Sequence, residues 1–172
     1  TATYAVANGN KVTVQVTART LAGPGVTEMQ PGGLQTVTLQ KGDVLNFEAD
    51  PKGLFDPLDL TGSKVNSNKP VIVFGGHDEA VIGEGEDNCC ADHLEEQLLP
   101  KYLLGTRYLA VNTKPRGGEP DHWRIQAAEP GVTVTTNPPQ AGANNVTLAK
   151  TGDFVEVVTA EPFEVIGTGK LQ

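Results

Sequence analysis

The sequence predicts an all-β protein of two similar antiparallel β-sandwich-like units, with one short helix in an insertion between them. Three observations carry this prediction. A strand-turn-strand segment occurs twice, as Val37-Thr38-Leu39-Gln40-Lys41-Gly42-Asp43-Val44-Leu45-Asn46-Phe47-Glu48 and as Val146-Thr147-Leu148-Ala149-Lys150-Thr151-Gly152-Asp153-Phe154-Val155-Glu156-Val157, with Thr151 read as one extra turn residue. A Val/Thr alternation, Lys11 to Thr17, is echoed by Val132 to Thr136, and each run follows a glycine, Gly9 or Gly131. The 20 glycines and 12 prolines among 172 residues supply the turns that such a protein needs.

The elements follow in order. Lys11-Val12-Thr13-Val14-Gln15-Val16-Thr17 alternates with period two and reads as a half-buried strand. Residues 20–33 are rich in Gly and Pro and read as a surface loop or crossover, since neither residue sustains a β-ladder. The first Gly-Asp segment comes next, with Leu45 and Phe47 on one face. Lys69-Pro70-Val71-Ile72-Val73-Phe74-Gly75-Gly76 is a continuous apolar run and reads as a central strand.

Asp92-His93-Leu94-Glu95-Glu96-Gln97-Leu98-Leu99 has an acidic start, leucines at helical spacing and Pro100 as a stop, which predicts a short helix. The second unit then repeats the first. After Phe163-Glu164-Val165-Ile166-Gly167-Thr168-Gly169 only Lys170-Leu171-Gln172 remain, so its last strand is expected to be missing and its sheet edge open. The expected organisation is a first β-unit at 1–76, an insertion at 77–106 and a second β-unit at 107–172. Because the chain opens on Thr1 with neither Met nor a signal-like segment, it is read as a processed or excised part of a longer protein.

Charge and composition exclude partners. A formal net charge of −8 without a basic run argues against nucleic acid and anionic membrane surfaces, and no apolar stretch approaches a membrane span. Catalysis is not expected. His77, His93 and His122 lie in separate segments, and Cys90 with His93 on one helical turn would diverge rather than form a nucleophile and base.

The candidate binding residues are His77, Asp78, Glu79, Asp92, His93 and Trp123. Trp is a frequent binding anchor, yet Trp123 alternates with Ile125 and Ala127 and reads more simply as a core plug. Tyr102 and Tyr108 near Gly105 are expected to position the chain as it enters the second unit. The acidic loop offers Asp78, Glu79, Glu84, Glu86 and Asp87 as hard oxygen ligands, with Gly83 and Gly85 allowing sharp turns. Calcium is the cation such a set suits. Without the regular ligand spacing of an EF-hand, a solvated acidic loop is the simpler reading, and no cofactor is expected. A zinc set of Cys89, Cys90, Asp92, His93 and Glu96 matches no standard spacing.

Asp59-Leu60-Thr61-Gly62-Ser63, Asn68-Lys69-Pro70-Val71-Ile72-Val73-Phe74-Gly75-Gly76-His77 and Cys90-Ala91-Asp92-His93-Leu94-Glu95-Glu96-Gln97-Leu98-Leu99-Pro100, in that order, resemble the IgG Fc-binding protein N-terminal domain family. The resemblance spans roughly residues 34–172 and is to the bacterial extracellular members. It implies a secreted or surface-exposed module that binds a protein or glycan at a surface, within a larger extracellular protein. The alternative is a structural subunit that self-assembles by strand exchange through its open C-terminal edge; a metal-dependent hydrolase is the third reading.

Many members of that family carry a Cys shortly after the Gly-His pair, where this chain has Asp78-Glu79-Ala80. Two readings of Cys89 and Cys90 therefore stand open. In the extracellular setting that the resemblance implies, they form a strained vicinal disulfide; otherwise they are unpaired or paired beyond this chain.

Overall fold

The computed structural model describes residues 2–50, 59–82, 91–114 and 119–172. Thirteen strands are present among them: β1 (Ala2–Ala5), β2 (Asn10–Gln15), β3 (Leu34–Leu39), β4 (Val44–Asn46), β5 (Lys64–Ser67), β6 (Val71–Ala80), β7 (Asp92–Gln97), β8 (Arg107–Ala110), β9 (Asp121–Gln126), β10 (Val132–Asn137), β11 (Val146–Leu148), β12 (Phe154–Thr159) and β13 (Phe163–Gly167). All ladders between them are antiparallel. They fall into two compact units, one carrying β1 to β7 and the other β8 to β13.

In the first unit the sheets run β4-β1-β6-β7 and β3-β2-β5. Alternation along β2 buries Val12 and Val14, and these meet Ala5 of β1, Leu39 of β3, Leu45 of β4 and Phe47 in one core. In the second unit the sheets run β11-β10-β13-β8 and β12-β9. Val132 and Val134, Leu148, Val165 and Phe163 meet Ile125 and Val157 there. Period-two sequences thus bury one face of each sheet, which is what the alternation predicted.

The repeated Gly-Asp segment is strand-turn-strand, but its two strands do not pair with each other. β3 lies on β2 and β4 on β1, so the turn is a corner carrying the chain between sheets; β11 and β12 do the same, lying on β10 and β9. Both corners use one set of bonds. Asp43 accepts from the Gln40 N–H at 2.8 Å and Asp153 from the Lys150 N–H at 2.8 Å, while the Asp43 N–H donates to the Gln40 carbonyl and the Asp153 N–H to that of Lys150. Gly42 and Gly152 stand at φ 92° and 95°, as the third position of a type II turn requires. Because Gln40–Asp43 corresponds bond for bond to Lys150–Asp153, the extra residue of the second copy is Ala149, ahead of the turn, and not Thr151.

Three expectations are corrected or refined. Residues 92–97 are not helical: β7 is an edge strand on β6, pairing Gln97 with Phe74, Glu96 with Gly75 and Glu95 with Gly76. The one helical element among the described residues is a single 3-10 turn at Lys101–Leu103. Residues 20–33 are more than a surface excursion, since Val26 and Met29 are buried in the first core and Thr20 bridges both Met29 and Ala49. Tyr108 does position the chain, its hydroxyl accepting from the Gly105 N–H and donating to the Leu171 carbonyl, both at 2.7 Å.

Candidate functional site

The β6–β7 hairpin gathers most of the candidate binding residues. β6 runs on through Val71-Ile72-Val73-Phe74 into Gly75-Gly76-His77-Asp78-Glu79, leaving the core as it does so. Its partner β7 is exposed at every position. His77 pairs with Leu94 and Ala80 with Asp92, and a register shift between them marks a bulge that holds Asp78 and Glu79. Bulges bend a strand and re-aim its side chains. His77, Asp78 and Glu79 of one strand and Asp92 and His93 of the other are therefore brought to the same irregular end of one hairpin, all of them exposed.

Local bonds order this rim. The Glu79 N–H donates to His77 Nδ1 at 3.1 Å, the His93 N–H donates to Asp92 Oδ1 at 2.8 Å, and His93 Nε2 lies 3.6 Å from Glu95 Oε2. The main-chain donor on His77 Nδ1 leaves Nε2 as the ring nitrogen outside that bond. Such a surface suits reversible recognition of polar and charged groups.

The remaining candidates stand elsewhere. Trp123 lies on β9 in the second unit, half-buried, with its ring edge-on to Phe163 at 6.0 Å between centroids. The hairpin residues belong to the first unit. Of the calcium set, Asp78 sits in the β6 bulge, while Glu84, Glu86 and Asp87 lie outside the described residues, as do Cys89 and Cys90. Among the described residues no three His, Cys, Asp or Glu side chains are grouped to hold a metal ion. A cleft of about 290 Å³ in the first unit is lined by Leu21, Ala22, Pro24, Val44, Asn46 and Glu48.

Sequence reasoning overlooked Asn10, which is fully buried. Its amide donates to the carbonyls of Lys69 and Pro70, each at 3.1 Å, and its Oδ1 accepts from the Lys69 N–H at 3.2 Å. This ties β2 to the entry of β6 and so fixes the base of the hairpin. No local pattern marks such a residue; a polar side chain at a core position of an alternating strand is the one hint.

A charged hairpin rim projecting from an all-β scaffold of antiparallel sheets defines a β-sheet module suited to recognition at its surface. The chain belongs to the IgGFc binding protein family, whose sequence model matches residues 2–170. It is also 38% identical over 71 residues to the human IgGFc-binding protein, a match covering 40% of this chain and 1% of that protein. The chain thus matches a small part of that relative's length. No solved structure matches it. Family membership points to a protein-binding module. No helix among the described residues is long and apolar enough to cross a membrane.

Proposed function

We propose that the chain is a non-enzymatic binding module of a larger secreted or cell-surface protein, and that it engages a protein partner through the β6–β7 hairpin. The observation that carries this reading is the convergence of His77, Asp78, Glu79, Asp92 and His93 on one exposed, bulged hairpin end, in a chain of the IgGFc binding protein family. Exposed charged residues held by a rigid sheet contribute orientation and specificity at an interface. The net charge of −8 favours a partner surface with basic groups. The extracellular setting and the adhesive role rest on the family resemblance.

The test is surface plasmon resonance with the chain immobilised and the Fc fragment of IgG in solution, beside an unrelated glycoprotein. Saturable Fc binding weakened at least tenfold by the double substitution Asp92→Ala/His93→Ala, at unchanged melting temperature, is the expected result. Absence of Fc binding, or binding indifferent to those substitutions, would remove the hairpin from this role.

A further inference from the structure

The one Asn-x-Ser/Thr sequence of the chain, with x other than proline, is Asn145-Val146-Thr147. It joins the end of the β10–β11 loop to the first residues of β11. This pattern is the acceptor of N-linked glycosylation, in which the asparagine carboxamide takes the sugar and the hydroxyl two residues on is recognised by the transferase. The pattern is short, so the place of its residues in the fold decides whether a glycan can be carried there.

The loop is pinned from inside. Ala143 is fully buried, the Gln140 N–H donates to Thr136 Oγ1 at 2.8 Å, and the Thr136 N–H donates to Asn144 Oδ1 at 3.3 Å. Asn144 is thereby tied to β10, and Asn145 follows it at the loop surface. Asn145 stands at φ 60°, a left-handed conformation that asparagine tolerates better than most residues. It is exposed, and among the described residues its side chain makes no hydrogen bond. Asn8 and Asn68, exposed as well, differ in this: Asn8 Oδ1 accepts from the Lys41 N–H at 2.9 Å and Asn68 Oδ1 from the Lys11 N–H at 2.8 Å.

The third residue of the pattern is also accessible. Val146 and Leu148 of β11 pack on the second core, so alternation sets Thr147 on the opposite face, exposed, with its hydroxyl bonded to that of Thr133 at 2.9 Å. A glycan on Asn145 therefore displaces no packed or bonded side chain.

We propose, on the secreted or cell-surface setting given above, that Asn145 carries an N-linked glycan. The donor is an oligosaccharide joined through its anomeric carbon to a polyprenyl diphosphate. The bond from that carbon to the diphosphate oxygen breaks, a bond from the carbon to Asn145 Nδ2 forms, and the proton lost by the amide leaves with the polyprenyl diphosphate. Nothing is oxidised or reduced. Transfer precedes the pairing of Thr147 with Thr133, since that pairing fixes the backbone of the pattern against β10.

Peptide mass spectrometry of the protein from its own source, before and after peptide N-glycosidase, tests this. The expected result is a hexosamine-containing mass on the peptide bearing Asn145, replaced after the enzyme by a peptide with aspartate at that position. In a eukaryotic secretion host, Thr147→Ala leaves Asn145 in place and should lose the glycan, whereas Thr147→Ser should keep it.

Protein recovered outside its own cells with an unmodified Asn145 would overturn the glycan and leave the secreted reading standing, even if the foreign host adds one. A sugar that persists at Asn145 in Thr147→Ala would also overturn the assignment of the pattern. Protein confined to the cytosol of its own cells would overturn both readings, so the two failures are told apart by where the protein is found.

Discussion

Glu129 shows how single residues hold the C-terminal end of the second unit in place. The Lys170 N–H donates to its carboxylate at 3.2 Å and Lys101 Nζ lies 3.5 Å away, while Lys170 Nζ reaches the carbonyls of Lys101 and Tyr102. The main-chain bond from Lys170 and the nearby Lys101 charge hold the Glu129 carboxyl below its ordinary value, against an opposing effect of desolvation. A carboxylate depressed in the folded state stabilises the fold above its unfolded pKa, and that contribution disappears as pH falls through the folded value. The stability difference between the native chain and Glu129→Gln is therefore present at neutral pH and closes in the acid range below the usual glutamate value. Urea denaturation across that range checks it, and a difference independent of pH would contradict the assignment. At this scale the sequence was partly legible. The two Gly-Asp turns were visible because a positive φ narrows the residue choice, whereas the buried amide of Asn10 was not, because its partners lie 59 and 60 residues away.

The β6–β7 hairpin is the element on which sequence and structure part. Leu94, Leu98 and Leu99 recur at helical spacing, yet the segment is a strand because it is an edge. Every residue from Asp92 to Gln97 is exposed, so no buried face imposes an alternation that could be read. What decides it is β6, a ten-residue strand whose free side offers main-chain partners, and the pair Gly75-Gly76, which lets the backbones approach. A Cβ at Gly76 would stand 2.7 Å from the Leu94 carbonyl oxygen, whereas one at Gly75 would meet Leu98 at an ordinary 3.6 Å. Gly76→Val should thus open this ladder, costing about 1–3 kcal/mol as overpacking does. Hydrogen exchange along β7 should accelerate, and Gly75→Ala should leave it near native. The bulge that gathers His77, Asp78 and Glu79 was equally beyond sequence, since it arises from two strands falling out of register.

At the scale of the whole molecule, each unit closes around its own core. Phe47, Leu45 and Val12 belong to one, Phe163, Ile125 and Val134 to the other. Phe163 is 2% exposed and edge-on to Trp123, so Phe163→Ala should cost about 3–5 kcal/mol. The loss should fall on the second unit: faster exchange from β8 to β13, with β2 and β3 unaffected. Uniform acceleration in both units would show that the cores are not separate.

The sequence by itself determined the fold class, the alternating strands β2 and β10 and the two Gly-Asp turns, because period-two burial and a positive φ are written locally in residue type. Tertiary structure alone decided two things: that β7 is a strand, and that the Gly-Asp corners join two sheets. Each depends on which distant backbone offers its N–H and C=O groups, and residues that are not buried, or whose partners are far along the chain, leave no periodic trace of that choice.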